Sequence, residues 1–432
     1  MGKLFSIILT GIIVSFYFFP FEFVFLPGVN TKMALAGMGL IVLGFQLSKQ
    51  GGAVIRKDLM SLSLVAAVVS LIGLASVTYN NTIDYTYVTY IISMWVWLSG
   101  AYVAVSCIRW VHGYVSVKLA CDYLIGICVA QCLLALLIDF YYPFKALVDS
   151  IVKGFDFVDI STLERSDRLY GIGAGLDVAG TRFAVVLFMI AYWVLRCKKK
   201  NSQVLYVFAF MIITVVGNMI GRTTTVGVVL SILYWVYTSD VYKLQWNKKN
   251  LFFMRTFVLI TLAFVPLVVY LYLSVPEMYN NIRFAFEGFF SLVEQGKWSV
   301  HSNNILKNML VFPETLKTWV IGDGYFDNPY YLDYNYVGPQ WGGFYKATDI
   351  GYLRFIFYFG LIGMLTFCYF FYRVGKTCMD RFSKHRILFL MILAVHFIVW
   401  CKVSTDLFMV YALFLVIGTE ENEEYEKRML QA

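Results

Sequence analysis

Arg168, Arg182 and Arg222 are charged residues set at the ends of long apolar stretches. Arg168 opens Arg168-Leu169-Tyr170-Gly171-Ile172-Gly173-Ala174-Gly175-Leu176-Asp177, and Arg182 follows about one turn into the next apolar run. Arg222 sits in Gly221-Arg222-Thr223-Thr224-Thr225, a tight break between two such runs. Arginine at a membrane edge is costly, so it tends to be paired or functional. A guanidinium keeps its charge at any relevant pH and grips phosphate with two N–H groups at once. Simpler readings stand beside this one: Arg182 pairs with Asp177 or snorkels to the surface, and Arg222 is a solvated hairpin residue. The glycines after Arg168 either form turns or let backbone N–H groups approach an anion. Taken together, the three side chains suggest a site for a phosphorylated lipid head group.

A second candidate region is the polar stretch 276–348, the longest in the chain. Its aromatic residues Tyr330, Tyr331, Tyr334, Tyr336, Trp341, Phe344 and Tyr345 could stack on sugar faces, with nearby Asp and Asn bonding hydroxyls. They could equally form the loop's own core or an interfacial belt. Arg283 to Phe290 reads as an amphipathic start, and 303–318 as a helix broken near Pro313. Its apolar spacing would bury Ile305, Leu306, Met309, Leu310 and Leu316. Ile321-Gly322-Asp323-Gly324-Tyr325 follows as a turn. His301 is a candidate general base. Asp349, with Arg354 five residues on, stands where the stretch enters an apolar helix, as an N-cap or as a site carboxylate.

The elements that must position these residues are membrane helices. The chain has 432 residues, 60% hydrophobic and 14% charged, against about 25% charged in soluble proteins. About 20 apolar residues span a bilayer. The pattern predicts an all-α polytopic membrane protein with about twelve transmembrane helices. They lie near 4–26, 33–47, 61–77, 88–108, 119–140, 178–195, 203–220, 223–239, 253–275, 350–372, 386–402 and 406–418. No cleavage site follows the first apolar run, which reads as a span and not a signal peptide.

Of the 35 basic residues, 21 fall at the termini or in alternate connections. They include Arg56, Lys57, Arg109, Lys118, Lys198, Lys199, Lys200, Lys243, Arg373, Lys376, Arg381, Lys427 and Arg428. The positive-inside rule makes that face cytoplasmic, with both termini on it. The outer face then receives a smaller loop at 141–177 and the large loop at 276–348, between spans nine and ten. Spans one to nine occupy 1–275, spans ten to twelve 349–418, and a cytoplasmic tail 419–432. Glu420-Glu421-Asn422-Glu423-Glu424 is a solvated helix end. Arg168, Arg182 and Arg222 lie on or near the outer face, against the charge bias. The net charge of +8 sits in these short clusters, which argues topology and not nucleic-acid binding. The eight cysteines avoid the large loop and form no CxxC pair, so neither disulfides there nor zinc is expected.

Thr348-Asp349-Ile350-Gly351-Tyr352-Leu353-Arg354, followed by Phe359-Gly360-Leu361-Ile362-Gly363, resembles the C-terminal signature of Wzy-type O-antigen polymerases. Ile321-Gly322-Asp323-Gly324 resembles the turn that precedes it in that family. Arg168-Leu169-Tyr170-Gly171 and Gly221-Arg222-Thr223 resemble two further landmarks, and the order agrees over roughly 160–370. The resemblance implies a glycosyltransferase of the bacterial inner membrane with its active site facing the periplasm. Donor and acceptor would be undecaprenyl-diphosphate-linked oligosaccharides, the growing chain moving to the sugar end of a new unit. Arg168, Arg182, Arg222, Arg283 and Arg354 would hold the diphosphate, since fixed positive charge stabilises a departing anion. Asp349, Asp323, His301 and Glu287 are candidates for the base that deprotonates the acceptor hydroxyl. Tyr170, Tyr325, Trp341, Tyr345 and Tyr352 would contact substrate. No metal or cofactor is implied, because the diphosphate linkage already activates the sugar. Membrane lipids, a flippase and a chain-length regulator are the partners implied.

Three other functions compete. A related O-antigen ligase would transfer finished glycan to lipid A-core; that family carries a His-Asn pair where Thr348-Asp349 stands here, although His301-Ser302-Asn303-Asn304 offers one upstream. A lipid-linked oligosaccharide flippase or other transporter suits the span count, but it should line its midplane with polar groups. A membrane O-acyltransferase would need a well-placed helical histidine.

Overall fold

The computed structural model describes residues 2–50, 56–155, 158–159, 168–197, 199–239, 248–419 and 422. Lys198, Lys243, Lys427, Arg428 and the tail glutamates at 420, 421, 423 and 424 lie outside the described residues. The protein is mostly helical. Among the described residues, seven helices are long and apolar enough to cross a bilayer: Lys57–Asn80, Tyr90–His112, Val117–Phe140, Leu176–Val194, Lys200–Ile220, Leu251–Ser274 and Gly351–Arg381. Gly2–Phe18, Thr31–Gln50 and Thr224–Thr238 are further apolar helices. The last two expected spans form helices of 14 residues, Arg386–Val399, and 9 residues, Phe408–Val416. Both fall short of the ~20 residues that cross a hydrocarbon core.

The chain divides into two compact units: residues 1–35, 100–298 and 416–432, and residues 36–99 and 299–415. The 276–348 stretch is therefore shared, its first part in one unit and its remainder in the other.

At the centre of the first unit is the Leu176–Val194 helix, buried at every residue from Ala179 to Val194. A helix apolar on all sides needs cover on all sides, and the Lys200–Ile220, Thr224–Thr238 and Val117–Phe140 helices supply it. Close approach depends on a missing side chain: a Cβ on Gly227 would stand 2.3 Å from the Ala184 carbonyl oxygen. The first helix ends at Phe18, well before the expected residue 26. Pro20 cannot continue a helix. Beyond it Phe21, Phe23 and Phe25 alternate along a hairpin of strands β1 (Glu22–Phe23) and β2 (Leu26–Asn30). With β3 (Val152–Phe155) and β4 (Val158–Asp159) they form a small sheet, ordered β2-β1-β3-β4. This small sheet takes up the end of the expected first span and leaves the protein mostly helical. Apolarity alone had extended the first span through residues whose period of two is that of a strand.

The second unit is organised by the Gly351–Arg381 helix, which is interrupted at Phe359 and Gly360. Gly360 has φ +68°, and a Cβ there would stand 2.1 Å from the Val320 carbonyl oxygen. The break frees the Phe357 and Tyr358 carbonyls, which accept from the backbone N–H groups of Asp323 at 2.6 Å and Gly324 at 3.1 Å. Ser76 on the Lys57–Asn80 helix donates to the same Tyr358 carbonyl at 2.7 Å. The expected 303–318 helix is in fact two, His301–Asn308 and Leu316–Val320. Of its expected buried positions, Leu306 packs on the Ile350–Phe357 cluster, while Ile305, Leu310 and Leu316 are exposed. Pro313 and the extended residues around it separate the two helices.

Candidate functional site

In the first unit, two of the expected arginines meet on one ring. The Arg168 guanidinium lies 4.7 Å and that of Arg222 4.2 Å from the centroid of Phe284. The fold brings them there by packing the 221–223 break against the start of the Leu176–Val194 helix. A Cβ on Gly221 would stand 2.3 Å from the Leu176 carbonyl oxygen. The Thr223 hydroxyl donates to Asp177, and Arg222 forms an ion pair with Glu287. Burial pulls the Arg168 pKa below its ordinary value; Asp177 opposes that and the Arg222 charge adds to it. Each cation–π contact contributes about 0.5–2 kcal/mol, and the Asp177 and Glu287 carboxylates offset the two charges, so an added anion would compete with them for the guanidinium N–H groups.

The glycine run beside Arg168 serves packing. Gly171 abuts the Gln131 side chain, and Gly173 (φ +77°) abuts the Phe19 carbonyl. The N–H groups of Leu169, Gly171 and Ile172 already donate to Met219, Ala174 and Gln131. These three N–H groups are therefore already used inside the fold. Arg182 is 3% exposed and packs 5.5 Å from the Phe19 ring, so it does not snorkel to the surface. Arg283 lies on the surface, where both of its terminal nitrogens donate to Glu294 at 2.8 Å.

The second unit holds a cleft of about 640 Å³. On its wall the Asp323 carboxylate accepts from Lys317 Nζ at 2.7 Å, Thr318 Oγ1 at 2.7 Å and the Tyr345 hydroxyl at 3.2 Å. Lys317 also donates to Asn80 Oδ1 at 2.6 Å. The Tyr325 hydroxyl donates to Asp333 at 2.9 Å, and the Tyr325 ring lies 5.6 Å from Tyr345 and 5.8 Å from Tyr336. Burial, reinforced by the neighbouring carboxylates, pushes both the Tyr325 and Tyr345 phenols well up. They stay protonated and act as hydrogen-bond donors. Trp341 stands behind Tyr345 at 6.1 Å.

Arg354 belongs to this second unit and is consumed in holding it together. Its guanidinium lies between the Phe326 and Phe344 rings at 3.6 and 3.5 Å. It donates to Asp327 at 2.9 Å, to the Phe326 carbonyl at 3.1 Å and to Ser404 at 2.6 Å. Asp84 supports the same loop by accepting from the N–H groups of Phe326 and Asp327. The five arginines expected to share one anion thus fall into different settings. The geometry joins Arg168 and Arg222; it gives Arg283 and Arg354 other partners.

Among the candidate bases, Glu287 is the ion-pair partner of Arg222 and Asp323 lines the cleft. His301 is exposed at the start of its helix. Asp349 precedes the Gly351–Arg381 helix but does not cap it: Ile350 is the cap residue, without a side-chain bond. Thr348 Oγ1 instead accepts from the Ile350 N–H at 3.3 Å. Two of the expected substrate contacts are structural. Tyr170 packs with Phe21, Ile138, Val148 and Val152, and the Tyr352 hydroxyl donates to the Phe397 carbonyl at 2.9 Å. Asn80, Asp84 and Lys317 were missed. Asn80-Asn81-Thr82 and Asp84 resemble any short polar connection, and nothing local ties them to residues more than 230 positions away.

No protein-family model, no curated protein and no solved structure matches the chain.

Proposed function

We propose that this chain is a membrane glycosyltransferase of the O-antigen polymerase type. It would join oligosaccharide units carried on undecaprenyl diphosphate, at the periplasmic face of a bacterial inner membrane. The observation that carries the reading is the pair of guanidinium groups, Arg168 and Arg222, fixed on the single ring of Phe284. In the transfer, an acceptor hydroxyl oxygen bonds to the anomeric carbon of the donor sugar. The C1–O bond breaks, and its electron pair leaves with the lipid diphosphate. Pre-positioned positive charge lowers the energy of that leaving anion without reorganising at the moment of reaction. The acceptor proton passes to a carboxylate or to water. The motif order described above and the seven membrane-length helices agree with this assignment.

The test is deletion of the gene in its host, followed by a gel of surface polysaccharide. A single repeat on lipid A-core is the expected result. Absence of repeats with long lipid-linked chains accumulating would mark a ligase, and units trapped inside the cell a flippase. Complementation with Arg168→Ala or Arg222→Ala is expected to restore normal protein levels in the membrane but no ladder. Wild-type ladders from both variants would remove the diphosphate role of the pair.

A further inference from the structure

The cleft in the second unit has a chemistry of its own. Its volume of about 640 Å³ falls within the ~300–1,000 Å³ of small-ligand sites. Three phenol rings line it, with Tyr325 against both Tyr336 and Tyr345. Such rings offer apolar faces to the C–H face of a pyranose and hydroxyls to its rim. Asn80, Asn335 and the carboxylates of Asp323 and Asp333 also line it, and these accept the bonds that sugar hydroxyls donate. The same cleft is poor in free positive charge. Three carboxylates, Glu314, Asp323 and Asp333, stand against the ammonium groups of Lys317 and Lys346. Lys317 is committed to Asp323 at 2.7 Å. Lys346 lies over the Trp341 and Tyr345 rings at 5.2 and 5.8 Å. With three carboxylates against two ammonium groups the lining is net negative, and such like-charge juxtaposition disfavours an acidic sugar. The wall is also preformed, since the backbone of Asp323 and Gly324 is bonded to the broken turn at Phe357 and Tyr358. A preformed site loses less on binding.

From this we infer that the cleft binds the sugar end of an oligosaccharide free of acidic groups. The role of that glycan as acceptor rests on the proposed glycosyl transfer; the binding itself does not. The test uses the full chain in lipid nanodiscs on a printed array of neutral, amino-sugar and acidic oligosaccharides, none carrying lipid or diphosphate. Retention on neutral or amino-sugar glycans and absence from acidic ones is expected. Tyr345→Ala, and separately the rim variant Asp333→Asn, should each weaken that retention by about tenfold, near the loss of one stacked ring or one charged hydrogen bond. Should Tyr345→Ala disturb folding, Asp333→Asn carries the comparison, with a size-exclusion profile as its folding check. Retention of no glycan, a preference for acidic ones, or retention indifferent to both substitutions would overturn the inference. A normal polymer ladder without array binding would sink the cleft and leave the polymerase reading; array binding without a ladder would do the reverse.

Discussion

Arg283 and Arg354 carry the same charge but sit in opposite environments, and that difference sets what each can do. The Arg283–Glu294 pair is exposed, with side-chain accessibilities of 34% and 43%, and such pairs contribute about 0–1 kcal/mol. Arg283→Ala should therefore leave both the thermal midpoint and the polysaccharide ladder close to wild type. Arg354 is 5% exposed and ties Asp327, Ser404 and the Phe326 carbonyl together between two rings. Arg354→Leu should cost about 2–3 kcal/mol, the range for losing hydrogen bonds to a buried charge; a melt in detergent that matches wild type would contradict this. Sequence singled out Arg168, Arg182 and Arg222 by the cost of charge near a membrane, and the family resemblance set Arg283 and Arg354 beside them; both cues are blind to partners. What separated them was the distance to Phe284, Glu294 and Phe326, set by contacts remote in sequence. Asp323 was legible as a turn carboxylate, but its partners Lys317 and Thr318 became visible only once the turn was folded.

At the scale of elements, the two glycine motifs prove to be halves of one joint. Ile321-Gly322-Asp323-Gly324 fits against the interruption at Phe359-Gly360, and each side needs glycine. A Cβ on Gly322 (φ +87°) would stand 2.5 Å from the Tyr358 carbonyl oxygen, and one on Gly360 (φ +68°) 2.1 Å from that of Val320. A left-handed backbone alone costs a side chain about 1–2 kcal/mol, and a clash with backbone adds to it. Gly360→Ala and Gly322→Ala should each destabilise the protein by more than ~2 kcal/mol. Gly296→Ala, where φ is +68° but the space is open, should cost only the ~1–2 kcal/mol backbone term. Equal melting shifts across all three would remove the joint. The expected helix break at Pro313 was readable because proline acts locally. The interruption at Gly360 was not: Phe359-Gly360-Leu361 lies within an apolar run, and the acceptors that its opening supplies are used by residues 34 positions earlier. The Glu22–Asn30 hairpin was hidden for a similar reason, since apolarity signals burial or lipid without saying which backbone provides it.

For the whole molecule, the class was legible from composition, because long apolar runs with few charges have few other solutions in water or lipid. The number of crossings was less so at the C-terminal end. Helices of 14 and 9 residues rise about 21 and 14 Å at 1.5 Å per residue, against a hydrocarbon core of about 30 Å. They could cross only with help from the extended residues beside them, or enter and return on one side. The turn between them decides. Lys402, Ser404, Thr405 and Asp406 follow Cys401 closely, and so polar a turn is costly to leave in hydrocarbon. It should emerge into water on the face opposite the basic loops. Two native cysteines report on this: Cys401 is exposed, and Cys197, beside the basic run Lys198-Lys199-Lys200, is half-buried. With each retained alone in an otherwise cysteine-free chain, a membrane-impermeant maleimide added to spheroplasts should label Cys401. It should reach Cys197 only after lysis. Label on Cys197 and not Cys401 in intact spheroplasts would invert the orientation and move Arg168 and Arg222 to the cytoplasmic face, where no periplasmic glycan could meet them. Cys401 silent in intact and lysed cells alike would instead mean that the two short helices return within the bilayer, which reduces the count of crossings but leaves both chain ends among the basic loops.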